Sequence, residues 1–220
     1  MTHPADPFAA ARAKMVERQL RRRDITDERV LAAMGTVPRE RFVAPRWRGR
    51  AYDDGALPIG HGQTISQPWV VAAICEGLEL SGDEGVLEVG TGSGYSAAVC
   101  ALLARHVTGV ERISALADRA RATLAELGIA NVDVISGDAS GGLPGAGPFE
   151  AIAVHASAPR LPAGLVGELA PGGRLVIPIA ERGADMLTVF RRLPGEGEPR
   201  LETRVIGPCR FVPLIGEEGF

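Results

Sequence analysis

Three acidic residues fall at intervals that suit a nucleoside-binding sheet. The first, Glu88, lies in "VLEVGTGSGYSAA", where an apolar strand runs into Gly90-Thr91-Gly92-Ser93-Gly94 and a helix follows. Glycines let such a turn take positive φ and let a ligand approach the backbone. In an open α/β sheet the C-terminal end of this strand lies at the ligand crevice. A simple strand–helix turn does not call for three glycines in five residues. The spacing is G-x-G-x-G. The dinucleotide pattern G-x-G-x-x-G would need its third glycine where Tyr95 stands. A diphosphate beside Glu88 is unfavourable, so a cationic ligand without phosphate fits better. S-adenosylmethionine, with its sulfonium and amino group, is such a ligand.

The second acid, Glu111, ends the next strand in "TGVER", about twenty residues after the glycine loop opens. An acid at that place can accept both ribose hydroxyls. The third, Asp138, ends a third strand in "ISGDAS", next to where an adenine ring would lie. A lone Asp after Gly is usually a turn residue. A third acid at a third strand end is better read as a ligand contact.

A second stretch with chemical potential is "GHGQTISQPWV", Gly60 to Val70. Its plainest reading is a helix start, with Ser66 as the cap and Pro68 in the first turn. A serine hydrolase is a weaker alternative. "GYSAA" around Ser96 loosely resembles G-x-S-x-G, but Ala98 replaces the last glycine. His61, His106 and His155 are candidate bases, yet they fall in no recognisable triad order.

The elements that must position these residues differ along the chain. Residues 6 to about 80 read as helices and loops. In "FAAARAKMVERQLRRR" Phe8, Ala11 and Met15 share a face, Val16 and Leu20 widen it, and Arg12 interrupts it. "TDERVLAAMGTVP" is a short helix that Thr26 can cap and Gly35 can end. Arg21 to Arg23 read as a solvated helix end, where cations suit the dipole. From about Gly85, strands and helices alternate: "GVLEVG", the helix "SAAVCALLARH", "VTGVE", the helix "ISALADRARATLAELG" closed by Gly128, "NVDVISGD", "FEAIAVHA", then "LPAGLVGELAPGG" as helix and turn, then "RLVIPIA". Such alternation means a parallel sheet covered on both faces. "DMLTVFRRL" and "RLETRVIGPCRFVPL" flank the turn "PGEGEP" and read as an antiparallel edge. The expected fold is α/β: a Rossmann-like, doubly wound, mostly parallel sheet. A helical cap and site loop over residues 1–80 pack on a ligand-binding core over residues 81–220.

Composition narrows the class further. The 220 residues can bury a full core without covalent staples. The net charge of −3, spread without long blocks, argues against a nucleic-acid binder. Cys75, Cys100 and Cys209 form no CxxC pair and read as small buried hydrophobes, which fits a reducing cytoplasm. "MTHPADPFAAARAK" lacks the apolar core of a signal peptide, and no apolar run approaches a membrane span. No metal site is expected.

The glycine loop, Glu111 and Asp138 together resemble the class I S-adenosylmethionine-dependent methyltransferases over roughly residues 80 to 180. More specifically, "ALPIGHGQTISQP", "VLEVGTGSGY", "GVER", "GD", "LAPGGRLVIPI" and "RFVPL", in that order, resemble the protein-L-isoaspartate O-methyltransferase family. The early "MVERQLRRRDITDERVLAAMGTVPRERFVAP" resembles that family's N-terminal cap. The resemblance implies that Ser66 is catalytic and that Gln63, Thr64, Ile65 and Ser66 lie over the methyl donor. It places Glu88, Gly90, Gly92 and Gly94 on the methionine part, with Thr91 and Ser93 in the same loop. It places Glu111 on the ribose, and Asp138 with Ala139 at the adenine edge. Leu57, Ile59 and Gly60, with Val212, Pro213 and Leu214, would wall the peptide site. His155, in "HASAP", departs from the Thr or Gly the resemblance leads one to expect.

The activity implied is methyl transfer from S-adenosylmethionine, leaving S-adenosylhomocysteine, to isoaspartyl residues of peptides and proteins. The free α-carboxylate of such a residue has a reference pKa near ~3.5 and is already a nucleophile at neutral pH. No strong general base is needed. Three rivals remain: a homologue that methylates one aspartate of a dedicated modified peptide, a small-molecule or RNA methyltransferase, and an inactive cofactor-binding paralogue. The expected state is a monomer in the cytoplasm, without nucleic-acid or membrane partners.

Overall fold

The computed structural model describes residues 6–195 and 197–220. Residues 1–5, part of the stretch read for a leader, and Glu196, inside the expected "PGEGEP" turn, lie outside the described residues.

The chain opens with α1 (Ala9–Met15), which runs on through a π-helical turn, Val16–Leu20, and a 3-10 turn, Arg21–Arg23. Met15 and Leu20 are both buried although five residues apart. An ideal α-helix would splay them, and the wider π turn brings them to one side. Ala11, expected on that face, is exposed. Arg12 takes a place there instead, donating to the Tyr52 hydroxyl at 2.8 Å and to Asp6 at 2.8 Å. Arg21 to Arg23 pair with Glu28, Glu17 and Asp54.

Helix α2 (Glu28–Thr36) is capped by Asp27, whose carboxylate accepts from the Arg29 N–H at 2.8 Å. The expected cap, Thr26, is diverted: its N–H and hydroxyl both reach the Glu76 carboxylate. Gly35 does not end this helix. The stop comes at Val37, extended before Pro38, where the proline disfavours the α region. The hairpin β1 (Leu57–Gly60) and β2 (Gln63–Ile65) leads into α3 (Pro68–Leu78). The residue at the α3 cap is Gln67, without a side-chain capping bond, so the reading of Ser66 as helix cap is corrected.

The core then alternates: β3 (Gly85–Val89), α4 (Tyr95–Ala101), β4 (His106–Glu111), α5 (Ser114–Glu126), β5 (Val132–Ser136), β6 (Phe149–Val154), α6 (Ala163–Glu168), β7 (Leu169–Ala180), β8 (Asp185–Arg192) and β9 (Leu201–Cys209). Helix α4 stops short of the expected "LLARH", because the Asn131 side chain takes the Ala101 carbonyl at 2.9 Å. Leu169 to Gly173, expected as helix end and turn, already belong to β7. There the chain hugs β6 so closely that a Cβ on Gly173 would lie 2.9 Å from the Glu150 carbonyl oxygen.

One seven-stranded sheet has the order β5-β4-β3-β6-β7-β8-β9, parallel through β7 and antiparallel for β8 and β9. Alternation on each strand feeds two cores. Val86, Ala151 and Ala153 join α3, α4, α5 and the N-terminal helices on one face. Leu87, Val89, Ile152, Val154, Leu175 and Ile177 pack on the other with Leu165 of α6 and Leu214. Strand order reverses between β3 and β6, which places the crevice outside their carboxyl ends. Among the described residues no helix is long and apolar enough to cross a membrane.

Candidate active site

At that reversal lies a cavity of about 950 Å³, open to solvent. Its floor is the glycine loop. Gly90, Gly92 and Gly94 have φ of 83°, 58° and 86°, a region that side chains resist. The N–H groups of Gly90 and Thr91 are tied to the Val110 carbonyl at 2.9 and 3.2 Å, which fixes the loop against β4. Gly90, Thr91, Gly92 and Ser93 line the cavity. Gly94 does not; a Cβ there would stand 3.2 Å from the Ala120 Cβ, so its smallness lets α5 approach the loop. Among the described residues Thr91 Oγ1 is buried without a partner, and Gly109 behind it has no room for a Cβ, which would fall 2.5 Å from that oxygen.

Two carboxylates meet the cavity at strand ends. Glu111 accepts from the Gly92 N–H and the Ile113 N–H, both at 2.9 Å, so its orientation is set by backbone. Asp138 accepts from Ser140 N–H at 2.8 Å and Glu217 N–H at 3.2 Å. Burial pushes the Asp138 carboxyl up, but these hydrogen bonds and the Arg112 charge outweigh it and hold it below the usual range. Ala139, beside it, is 2% exposed and also lines the cavity.

Gln63, Thr64, Ile65 and Ser66 form the opposite wall. The β1–β2 hairpin turns through Gly60, His61 and Gly62, all at positive φ, and Leu57 pairs with Ile65. Leu57 and Ile59 are buried beneath the hairpin, and Gly60 lies in its exposed turn. None of these three lines the main cavity; Ile59 borders a separate one with Ser93 and Arg119. The far wall is Val212, Pro213 and Leu214. Ser157 pins this segment, its N–H donating to the Val212 carbonyl at 2.8 Å and its carbonyl accepting from the Leu214 N–H at 2.7 Å. Asp185 supports both sides by accepting from the Ser157 hydroxyl and the Phe211 N–H.

Glu88 is fully buried and does not line the cavity. It alternates onto the face that packs α4, where His155 Nε2 lies 3.2 Å from its Oε1. His155 does line the cavity, and its Nε2 is also 2.8 Å from Ser96 Oγ. Ser96 is thus a partner of His155 in the cavity wall. Arg39 is a further residue that sequence reasoning passed over. Its guanidinium is completely buried, and Nη2 donates to the Ser66 carbonyl at 2.7 Å. A single buried arginine leaves no periodic trace in a sequence; only its neighbours reveal it.

The cavity offers two carboxylates, Glu111 and Asp138, and one arginine, Arg112. Such a donor and acceptor set fits a cationic ligand with free hydroxyls and gives no cluster of cations for a diphosphate. Glu111 and Asp138 both line this cavity at strand ends.

Comparison with known proteins agrees with this geometry. The family profile of protein-L-isoaspartate(D-aspartate) O-methyltransferase matches residues 10–219. The chain is 52% identical over 217 residues to protein-L-isoaspartate O-methyltransferase 1 of Rhodopseudomonas palustris (strain HaA2), covering 98% of this chain and 87% of that protein. It is 48% identical over 217 residues to the protein-L-isoaspartate O-methyltransferase of Methanoculleus marisnigri, covering 98% and 96%. A solved protein-L-isoaspartate O-methyltransferase superposes with a TM-score of 0.81 at 27% identity, over 94% of this chain and 66% of that one. A Plasmodium falciparum structure described as such an enzyme, in complex with S-adenosyl-L-homocysteine, gives 0.76 at 28% identity, over 93% and 98%. With strand order, glycine loop, strand-end acids and near-complete alignment all in agreement, the chain belongs to the protein-L-isoaspartate(D-aspartate) O-methyltransferase family.

Proposed function

We propose that the protein transfers the methyl group of S-adenosylmethionine to the α-carboxylate of L-isoaspartyl residues in peptides and proteins, which starts their repair. One observation carries this reading beyond the family: the cavity described above adjoins an open groove of about 1220 Å³, and Ser66 borders both. The groove is walled by Trp69, Phe211 and Arg210 and opens to solvent, where a peptide can approach.

When bound, S-adenosylmethionine supplies an electrophilic methyl on a sulfonium. Glu111 orients the ribose, because two backbone N–H groups hold its carboxylate and leave lone pairs toward the cavity. Asp138 and Ala139 fix the adenine edge. Gln63 to Ser66 close over the donor and exclude water. The Ser66 hydroxyl donates to one oxygen of the substrate carboxylate and leaves the other in line with the methyl group. The carboxylate is already ionised, so the chain needs to position it rather than deprotonate it. Such positioning can contribute about 7–11 kcal/mol. The methyl ester then has a better leaving group, and the neighbouring backbone amide closes a succinimide without the enzyme. Hydrolysis returns some normal aspartate.

The protein acts in a reducing cytoplasm, a reading supported by three free thiols, and its −3 net charge favours no nucleic-acid partner. Two short peptides that differ only in isoaspartate against aspartate test the activity. Incubated with methyl-labelled S-adenosylmethionine, the isoaspartyl peptide alone should acquire base-labile label. Label on neither, with the cofactor still bound, would overturn the reading and point to a dedicated substrate.

A further inference from the structure

The two cavities meet at four residues: Thr64, Ser66, His155 and Val212 border both. A substrate carboxylate that enters from the groove must pass this doorway to reach the methyl donor. Of the four, His155 alone carries an ionisable side chain.

The ring of His155 is held from behind. Its Nε2 lies 2.8 Å from Ser96 Oγ and 3.2 Å from Glu88 Oε1. Glu88 has no exposure at all, and among the described residues neither of its carboxylate oxygens has a well-formed hydrogen bond. A buried carboxylate in that position needs a cation beside it or must take up a proton. Cys100 of α4, close enough to feel the Glu88 charge, supplies no positive charge. The Cys100 thiol is held well above the ordinary thiol range by its hydrogen bond with Cys75, by burial and by the Glu88 charge itself. Among the described residues His155 is the basic side chain within 4 Å of the Glu88 carboxylate. Nε2 faces both the Ser96 hydroxyl and the Glu88 carboxylate, so the nitrogen left to meet a substrate is Nδ1. The ring makes no other side-chain hydrogen bond among the described residues, which leaves Nδ1 free.

We propose that His155 is a substrate-anchoring residue: backed by Glu88 and oriented by Ser96, it offers Nδ1–H to the isoaspartyl α-carboxylate at the doorway between the two cavities. This rests on the isoaspartyl methylation proposed above. Ser66 approaches the carboxylate from the loop and His155 from the floor. Two donors from two directions define one orientation of a planar group, which a single hydroxyl cannot. The transfer itself moves no proton. A carboxylate oxygen forms the C–O bond as the S–CH3 bond breaks, and the electron pair stays on sulfur. His155 therefore acts through binding and alignment.

The test compares two peptides, one with isoaspartate and one with its α-carboxamide analogue, bound to protein loaded with S-adenosylhomocysteine. Wild type should bind the carboxylate peptide about tenfold more tightly than the amide, as expected for one charge-assisted hydrogen bond. In His155→Gln and His155→Thr that preference should collapse to within about twofold, while affinity for the amide peptide and for S-adenosylhomocysteine holds. KM for the isoaspartyl peptide should rise by a similar factor. A merely structural role would weaken both peptides alike. Equal weakening, or an unchanged preference, would overturn the proposal, as would a loss of cofactor affinity with peptide binding intact. If His155→Thr fails to fold, His155→Gln and Ser96→Ala carry the test, the latter with a partial loss of preference. Methylation of the isoaspartyl peptide by wild type, measured alongside, separates the two readings. If wild type methylates while the variants keep their preference, only the His155 assignment falls; if wild type does not methylate, both fall.

Discussion

Arg39 Nη2 donates to the main-chain carbonyl of Ser66 at 2.7 Å, while Nε of the same guanidinium donates to the Ala51 carbonyl at 2.7 Å. The N-terminal segment thus holds the site loop through its backbone and, among the described residues, leaves the Ser66 hydroxyl without a hydrogen-bond partner. The guanidinium carbon lies 4.8 Å from the centre of the Tyr95 ring, and Nη1 has no hydrogen-bond partner among the described residues. Burial pulls the Arg39 pKa down, against the partial offset of Tyr95 and Tyr52. An arginine is the one side chain that can span two carbonyls and stack on a ring at once.

Arg39→Met should therefore loosen the loop more than it harms the core. One buried and one half-buried carbonyl lose a charged donor, so a stability loss of about 2–4 kcal/mol is expected. Thermal denaturation should show a melting temperature lower by roughly 5–10 °C. kcat/KM for an isoaspartyl peptide should fall further than the stability loss explains, when measured well below the transition. Unchanged kinetics would mean that Ser66 keeps its place without Arg39.

Ser66→Ala tests the hydroxyl itself. Loss of one hydrogen bond to an anionic substrate should cost about 1.5–3 kcal/mol in the transition state, roughly a 10- to 100-fold fall in kcat. The Kd for S-adenosylmethionine, measured by calorimetry, should stay within about twofold. Equal loss in both quantities would show that Ser66 serves the cofactor rather than the reaction.

Glu111→Ala removes the acid that two backbone N–H groups orient toward the cavity. Cofactor affinity should weaken by about 10- to 100-fold, the worth of a paired charge-assisted contact. Calorimetry checks this directly, and an unchanged Kd would show that the ribose lies elsewhere.

Glu84 gives a pH-dependent prediction. Burial pushes its carboxyl up, but the hydroxyl and N–H of Ser81 and the N–H of Gly82 together bring it down to about 2. An unfolded glutamate titrates near ~4.3, so between these values the unfolded chain binds more protons. The stabilisation is complete above the unfolded value and is lost as pH falls through about 2. Glu84→Gln should therefore be less stable by about 2 kcal/mol at pH 7, with the gap from wild type shrinking as pH drops below about 4.5. Urea titrations at pH 7 and pH 3 measure both points; a gap that does not change with pH would refute the ionic origin.

Much of the fold was legible because it rests on local rules. The apolar runs at 85–89, 106–111 and 149–154 could only be buried strands, and the helices between them forced parallel pairing. The cap of α2 was misread by one residue for a tertiary reason: Glu76, fifty positions away, claimed Thr26 and left the capping to Asp27. The end of α4 was missed because Asn131, just before β5, donates to the Ala101 carbonyl at the helix end. Neither partner is visible within a local window.

By itself the sequence determined the class of sheet, the glycine loop and the two acids at strand ends, since strand period, turn chemistry and charge are properties of neighbouring residues. Only the tertiary structure decided how the buried charges are used. Glu88 and Gly94 sit in the glycine-loop motif, yet one turns to His155 and the other to Ala120, because alternation on β3 and the approach of α5 fix which way each faces. Arg39 and Ser66 are 27 positions apart in the chain. Their meeting depends on a helical cap folding over the sheet, and that is a property of the whole core.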